Sequence, residues 1–191
     1  MAHIALDVDS PGIIGLLKAY PDTARPLSDM AEQLLHAPTP GLSAADREMI
    51  GAYVSRLNQC EFCELSHGGI AEKLAGKTGL VDAAACALES ADLTPKMKAL
   101  LRIAGLVLDD PKAVSARDID AARGVGAGDS DIHDCVLIAA FFCMLNRYVD
   151  GLGAPLPADR SFYASGVDRT IERGYIVPPE ELQPMSERAH P

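Results

Sequence analysis

The sequence predicts an all-α protein. Apolar residues recur with helical spacing along nearly the whole chain, and no stretch alternates apolar and polar residues for long enough to indicate a half-buried strand. The chain has 191 residues, 48% hydrophobic and 23% charged, a composition typical of a globular protein of one domain. We therefore expect a single domain over 1–191, with N-terminal helices in 1–41, a core in 42–153 and a C-terminal helix and tail in 154–191.

The first helices are placed by breakers and caps. A helix at about 12–20 stops at Pro21, and a second helix through 27–35 ends before Pro38. Ser43, followed three residues later by a carboxylate, forms a capping box, because the hydroxyl and the carboxylate can pair with amides of the first turn. The third helix therefore begins there and continues to about 57.

Six further helices follow the same logic. They cover about 60–75, 81–88, 94–109, 116–123, 129–149 and 158–173. Asn58-Gln59 separates the third helix from the fourth, and Thr94 with Pro95 supplies an N-cap and a first helical residue. Asp129-Ser130 is expected to cap the long apolar helix, which Gly151 helps to end. The tail at 178–191 is expected to be mobile or to wrap a neighbour.

Two stretches of the sequence resemble each other weakly. Similar stretches begin at Leu42-Ser43 and at Leu93-Thr94, which would agree with two copies of one helical unit. The match is too short to establish a duplication. If it is real, Ala99 stands in the second copy where Glu48 stands in the first, so the chemistry would lie in the first half only.

Charge and composition exclude several classes of function. The formal net charge is −10, which argues against a nucleic-acid partner because no broad surface can neutralise phosphates. The N-terminus lacks a basic segment followed by an apolar one, and the longest apolar run, 135–145, is shorter than the roughly 18 residues of a membrane span. We expect a cytoplasmic protein without a membrane partner, in which the five cysteines do not form a disulfide framework.

A thiol motif carries the chemistry. Cys60, Cys63 and His67 are spaced i, i+3 and i+7, so they lie on one stripe of a single helix. Cys60 falls at the helix start, where unpaired amides and the helix dipole favour the thiolate. If the third and fourth helices form an antiparallel hairpin around Asn58, Glu48 lies beside His67. These residues predict a reactive dithiol with a Glu48–His67–Cys63 proton relay, and Gly68-Gly69 would permit close approach there.

Simpler interpretations stay open for each of these residues. Cys60, Cys63 and His67 supply three ligands of a zinc site, but no second motif supplies the fourth ligand of a structural site. Glu48 is equally well explained as a solvated helix carboxylate, and His67 as a histidine on a helix face. The other cysteines, Cys86, Cys135 and Cys143, are expected to be inert core residues. His133 is expected at the surface, and Asn146-Arg147 with Asp150 in a structural or interface role; His3, His36 and His190 have no constellation around them.

Together these residues resemble a known family. The order Glu48, eleven residues, Cys60-x-x-Cys63, three residues and His67 is similar to the signature of the alkylhydroperoxidase D-like group of the carboxymuconolactone decarboxylase superfamily. The stretches 54–58, 93–102 and 146–153 agree with it too. The match covers about 42–153, and the whole length resembles the peroxidase-related subgroup.

The resemblance implies an AhpD-like helical fold of about eight to nine helices, built from a duplicated helical unit and assembled into homo-oligomers. It implies a thiol-dependent peroxidase in which Cys63 attacks a hydroperoxide, Cys60 resolves the sulfenic acid into a disulfide, and Glu48 and His67 relay the proton. An external dithiol, in some relatives of lipoyl type, would reduce the disulfide, and no haem, flavin or other cofactor is needed. Well-studied peroxidases of the group carry a second histidine where this chain has Phe62.

Two other functions remain open. A decarboxylase or lactone-processing enzyme would not need the two cysteines, and a redox sensor would form the disulfide once without turnover. The order of the thiols is also open, because helix position alone makes Cys60 the more ionised thiol, whereas the resemblance assigns the attack to Cys63.

Overall fold

The computed structural model describes residues 2–6, 10–36, 38 and 40–178. Across these ranges the chain forms nine α-helices joined by turns and short π and 3-10 segments, and no β-strand occurs there. The prediction of an all-α protein is confirmed. The predicted tail lies outside the described residues from position 179 onward.

The helices follow one another with short connections. They are α1 (Ile13–Ala19), α2 (Pro21–Ala31), α3 (Ala44–Leu57), α4 (Glu61–Ala75), α5 (Leu80–Ala87), α6 (Pro95–Asp109), α7 (Ala116–Gly124), α8 (Asp129–Gly151) and α9 (Ser161–Arg173). The predicted ends agree with these bounds to within about one helical turn, except in the second helix.

The second helix changes type before it ends. α2 stops at Ala31, and the segment Glu32–His36 is a π-helix rather than a continuation of the α-helix. Glu32 accepts a hydrogen bond from the backbone N–H of Tyr175 at 2.7 Å and lies 2.6 Å from Nδ1 of His36. The contact with Tyr175 comes from a distant part of the chain, which local periodicity does not encode, so the sequence predicted one continuous helix.

Contacts divide the chain into two compact units. The first unit comprises Met1–Ala37 and Arg147–Pro191, and the second comprises Pro38–Asn146. In the first unit, the backbone N–H of Gly12 donates to the carbonyl of Pro155 at 2.8 Å. The second unit contains every residue of the predicted thiol site.

The second unit is built around α3. Nine consecutive residues of this helix, Arg47–Ser55, are buried, so it is enclosed on all sides rather than amphipathic. It begins as predicted, because Ser43 and Asp46 form a reciprocal capping box. α3 packs mainly against α4, and also against α5 and α6. The predicted hairpin of the third and fourth helices is confirmed.

The two helix starts with similar sequences, at Ser43 and Thr94, also have similar structures. The Ser43 side chain accepts from the N–H of Asp46 at 3.2 Å, and the Thr94 side chain accepts from the N–H of Met97 at 3.2 Å. Pro95 occupies the start of α6, as predicted. A duplicated helical unit stays a prediction.

The longest helix, α8, has 23 residues and is long and apolar enough to cross a membrane by length and composition. Half of its most apolar 18-residue window is buried inside the protein, and core helices of soluble proteins pass the same test. It contributes Cys135, Ile138, Ala139 and Phe142 to the core, each 0% exposed. The helix begins at Asp129, so this residue is its first member and not its cap.

Candidate active site

A tight turn between α3 and α4 places the first cysteine. The N–H of Cys60 donates to the carbonyl of Ser55 at 3.0 Å, and the N–H of Gln59 donates to that of Arg56 at 3.1 Å, which is the Schellman pattern. Gln59 has a φ of 62°, a left-handed conformation that glycine usually supplies. The N–H of Cys60 thereby completes the motif that caps α3, and Cys60 is the N-cap of α4.

The two cysteines and the histidine lie on one stripe of α4, as predicted. Cys60 is 0% and Cys63 3% exposed, while the His67 side chain is 14% exposed. Side chains three and four residues apart on a helix are neighbours, so Cys63 lies between Cys60 and His67. His67 is the most accessible of the three.

Glu48 meets His67 across the hairpin. Oε2 of Glu48 lies 2.7 Å from Nδ1 of His67, and the Glu48 side chain is 3% exposed. The predicted contact is confirmed, and the interpretation of Glu48 as a solvated carboxylate is wrong. With the carboxylate on Nδ1, the ring presents Nε2 as its second proton-exchanging atom. The catalytic roles of Glu48, His67, Cys60 and Cys63 stay predictions.

The ring of Phe142 packs against the imidazole of His67. The rings of His67 and Phe142 are perpendicular, with centroids 4.6 Å apart. The Phe142 ring also packs closely on Gly51, since a Cβ there would come within 2.4 Å of it. Gly68 allows a second close approach, since its Cβ would lie 3.3 Å from Cγ2 of Val81. The expected close packing at Gly68 is confirmed, whereas a lone glycine inside a helical run was the only sequence signal for Gly51.

The positive charge next to Glu48 is already paired. Arg47 is 2% exposed, and it donates to Oδ2 of Asp134 and to the carbonyl of Leu42. Partial burial of Asp134 would raise its pKa, but hydrogen bonds from His133 and Arg47 and their charges hold this pKa below its ordinary value. Arg47 is thus tied to Asp134, while Glu48 is tied to His67.

A buried polar network contacts the turn between α3 and α4. Asn146 is 1% exposed; its amide donates to Oγ of Ser55 at 3.0 Å, and its carbonyl oxygen accepts from Asn58 at 2.9 Å. Ser55 in turn donates to the carbonyl of Gly51 at 2.8 Å. The predicted structural role of Asn146 is confirmed. The network links α8 to the last turn of α3 and to Asn58, in the turn that leads to Cys60.

The remaining cysteines and histidines do not share one environment. Cys135 is buried and donates to the carbonyl of Leu100 at 3.2 Å, and burial raises its pKa to about 12, so the prediction of an inert core thiol is confirmed. Cys86 is exposed, and its prediction as a core residue is wrong, because an apolar run does not tell which face points outward. His133 is exposed as predicted, whereas His36 has a partner in Glu32 that the sequence did not indicate.

Metal binding finds no further support in the described part of the chain. There, no group of three or more His, Cys, Asp or Glu side chains is placed to hold a metal ion. Two of the three residues of the zinc interpretation are deeply buried, and His67 already has Glu48 on one ring nitrogen.

Comparison with known proteins places the chain in a family. Residues 21–106 match the carboxymuconolactone decarboxylase family. A crystal structure described as an alkylhydroperoxidase AhpD core, from a peroxidase-related protein of Ralstonia eutropha JMP134, is 30% identical, with a TM-score of 0.73 over 82% of this chain and 81% of that chain. The chain belongs to the AhpD-like carboxymuconolactone decarboxylase superfamily.

A second structural neighbour agrees with this assignment. A peroxidase-related protein from Silicibacter sp. TM1040 is 26% identical and has a TM-score of 0.69, over 75% of this chain and 76% of that chain. No curated protein matches this chain. The AhpD-like fold predicted from the motif is confirmed.

Within this AhpD-like site, sequence reasoning missed one charged group close to the dithiol. Glu64 follows Cys63 directly and pairs with Arg56 of α3, their Oε1 and Nε atoms lying 3.3 Å apart. Its position four residues after Cys60 was the available signal.

Proposed function

We propose that this protein is a thiol-dependent peroxidase that reduces hydroperoxides through a disulfide cycle of Cys60 and Cys63. The observation that carries the proposal is the hydrogen bond between Glu48 and His67, which gives the dithiol a proton acceptor one helical turn away. Peroxidase-related structural neighbours support the same reaction class.

The cycle starts at Cys63. His67 takes the thiol proton, and the thiolate attacks one oxygen of the hydroperoxide, so that the O–O bond breaks and the sulfur becomes a sulfenic acid. The leaving alkoxide takes the proton from His67 and departs as an alcohol. Sulfur is oxidised by two electrons in this step, and the peroxide is reduced by two.

Cys60 then closes the cycle. Its sulfur attacks the sulfur of the Cys63 sulfenic acid, the S–O bond breaks, and water leaves as the disulfide forms. An external dithiol, in our proposal one of lipoyl type, reduces this disulfide by thiol–disulfide exchange and is itself oxidised by two electrons. Atoms and electrons balance without a bound cofactor.

Glu48 orients and charges the imidazole. Its carboxylate on Nδ1 stabilises the imidazolium that forms when His67 accepts the thiol proton. The pair is enclosed, with the Glu48 side chain 3% exposed, so little water competes for this hydrogen bond. Phe142 keeps the ring in place, and the proposed mechanism uses a single imidazole because Phe62 stands between the cysteines.

The proposal is tested by steady-state consumption of cumene hydroperoxide with excess dithiothreitol. We expect sustained turnover in the wild type and none in Cys63→Ala, which lacks the attacking thiol. Cys86→Ala is the matched control, because it removes an exposed thiol outside the site and is expected to keep full turnover.

Other outcomes would favour the competing functions. A wild type that forms one disulfide and then stops would be a redox sensor. A Cys60→Ala/Cys63→Ala double variant that keeps a decarboxylase or lactone-processing activity would place the protein with the enzymes after which the matched family is named. Either result overturns the peroxidase proposal.

A further inference from the structure

A second carboxyl group shares the stripe of the two cysteines. Glu64 follows Cys60 by four residues, and its backbone N–H donates to the carbonyl of Cys60 at 3.0 Å. Side chains at this spacing have Cβ atoms about 5–6 Å apart. Glu64 therefore lies one helical turn after Cys60, at the start of α4.

Three helices contribute charges to this group. Nε of Arg56, on α3, lies 3.3 Å from Oε1 of Glu64 and 3.2 Å from Oδ1 of Asp82, on α5. The side chain of Glu64 is 18% exposed, compared with 40% for Arg56 and 72% for Asp82. Glu61, on α4, is the fourth charged residue nearby and is exposed. Glu64 is thus the most enclosed member of the cluster.

The surroundings tune Glu64 for proton exchange. Burial is the largest effect and raises its pKa, Arg56 lowers it, and the negative charges of Asp82 and Glu61 raise it again, so the pKa lies above its usual value. A carboxyl group with a raised pKa is protonated over a wider range of pH, and it is a better proton acceptor when ionised.

We propose that Glu64 exchanges the proton of the Cys60 thiol, as the counterpart of the Glu48–His67 pair at Cys63. The inference rests on the Cys60–Cys63 disulfide of the proposed function. When the disulfide closes, the carboxylate of Glu64 takes the Cys60 proton and delivers it to the hydroxide that leaves Cys63, which forms water.

The reverse transfer assists reduction. A thiolate of the external dithiol attacks the Cys63 sulfur, the S–S bond breaks, and the electron pair leaves on Cys60, which receives the proton of the Glu64 carboxylic acid. The second thiol of the reductant then releases Cys63 and closes the oxidised reductant. Solvent returns the proton to Glu64.

The test follows disulfide reduction and requires no peroxide. Protein oxidised with diamide is mixed with dithiothreitol at a series of pH values, and each rate constant is divided by the thiolate fraction of the reductant. In the wild type this corrected rate is expected to fall as pH rises through the pKa of Glu64, because the acid form is lost. In Glu64→Gln the rate should be low and flat, about tenfold below the wild type at low pH, a modest loss because a thiolate is already a good leaving group.

Variants of three neighbouring residues test the direction in which the pH of the fall shifts. Arg56→Gln should move the fall to higher pH, because Arg56 lowers the pKa of Glu64, and Asp82→Asn should move it to lower pH. Glu61→Gln is the matched control: it removes an exposed carboxylate from the same helix and should keep the fall with at most a small shift downward. Circular dichroism of each variant verifies its fold.

A wild-type profile that is as flat as that of Glu64→Gln, or a fall that Glu64→Gln retains, overturns the role of Glu64. Continued peroxide turnover beside that result would leave the proposed function intact. Conversely, absent peroxide turnover with the expected exchange profiles would overturn the peroxidase proposal and leave the role of Glu64 standing.

Discussion

The four residues of the proposed cycle differ in what surrounds them. Cys63 lies one turn before His67, whose other neighbour is the buried Glu48, whereas Cys60 lies at the first amides of α4. Helix position favours ionisation of Cys60, but the imidazole provides Cys63 with a proton acceptor. We therefore assign the attack to Cys63, because a thiol that loses its proton to a positioned base need not be ionised beforehand.

The Glu48–His67 hydrogen bond gives the first prediction. Glu48→Gln keeps the size of the side chain and removes its charge, so the imidazolium loses its stabilising partner. We expect peroxide turnover to fall on the order of 10²-fold, the lower end of what a positioned proton-transfer group contributes. The measurement is steady-state turnover with cumene hydroperoxide.

Glu61→Gln is the control for this substitution, since it removes an exposed carboxylate of α4. Turnover in Glu48→Gln equal to that in the control would contradict the relay.

The contrast between Cys135 and Cys86 gives a second prediction. Burial raises the pKa of Cys135 to about 12, and only the thiolate reacts with alkylating agents. Iodoacetamide at about pH 8 should modify the exposed Cys86 in the native protein and leave Cys135 unmodified until urea is added. Peptide mass spectrometry reads out both sites, and native modification of Cys135 would disprove its burial.

At the scale of residues, the sequence could predict the Glu48–His67 contact because a hairpin around one known turn brings equidistant positions together. It could not assign Glu64, because its partners come from three helices whose packing no local pattern encodes. The same limit explains Cys86, since an apolar run does not tell which face meets the core.

At the scale of elements, the turn between α3 and α4 depends on an unusual conformation of Gln59. With a φ of 62°, Gln59 is strained, because it has a Cβ in the left-handed region. Gly76, with a φ of 65°, ends α4 in the same conformation without strain. The two positions therefore form a matched pair for opposite substitutions.

The prediction for this pair concerns the free energy of unfolding. Gln59→Gly should raise it by about 0.5–1 kcal/mol by relieving strain, and Gly76→Ala should lower it by about 1 kcal/mol. A Cβ at Gly76 would meet nothing within 4 Å, so strain alone is tested there. Urea denaturation measures both values, and destabilisation by Gln59→Gly would mean that side-chain contacts of Gln59 outweigh its strain.

The ends of helices were predicted best where a residue type has one characteristic position in a helix. The capping box at Ser43 and the Thr94-Pro95 start could be predicted, because hydroxyl, carboxylate and proline act within a single turn. The π segment Glu32–His36 was not readable, since the hydrogen bond of Glu32 to Tyr175 joins residues far apart in the chain.

At the scale of the whole molecule, half of the apolar window of α8 is not buried within the chain. Met144 on this helix is 47% exposed. The resemblance to AhpD-like proteins implied a homo-oligomer, and burial of such a surface between copies would be favourable.

We accordingly predict that Met144→Glu lowers the oligomeric state, because a charge would be buried without a partner. Val125→Glu is the control, since Val125 is exposed to a similar extent, 42%, but lies in the loop after α7. Sedimentation velocity compares the two variants with the wild type. A monomeric wild type, or equal sedimentation of all three, would contradict the assembly.

The fold class was predictable because helical periodicity covers most of the chain and few turns interrupt it. The division into Pro38–Asn146 and a unit formed from both ends of the chain was not, because it depends on contacts between segments that are distant in sequence. The thiol site could be predicted, because all four of its residues belong to one hairpin.

The most direct test of the account is to trap the sulfenic acid. Cys60→Ala is treated with one equivalent of cumene hydroperoxide and then with dimedone, and the modified peptide is identified by mass spectrometry. We predict an adduct on Cys63, and a much weaker one when Glu48→Gln is added. An adduct on another cysteine, or none on Cys63, would contradict the proposal that Cys63 reduces the peroxide.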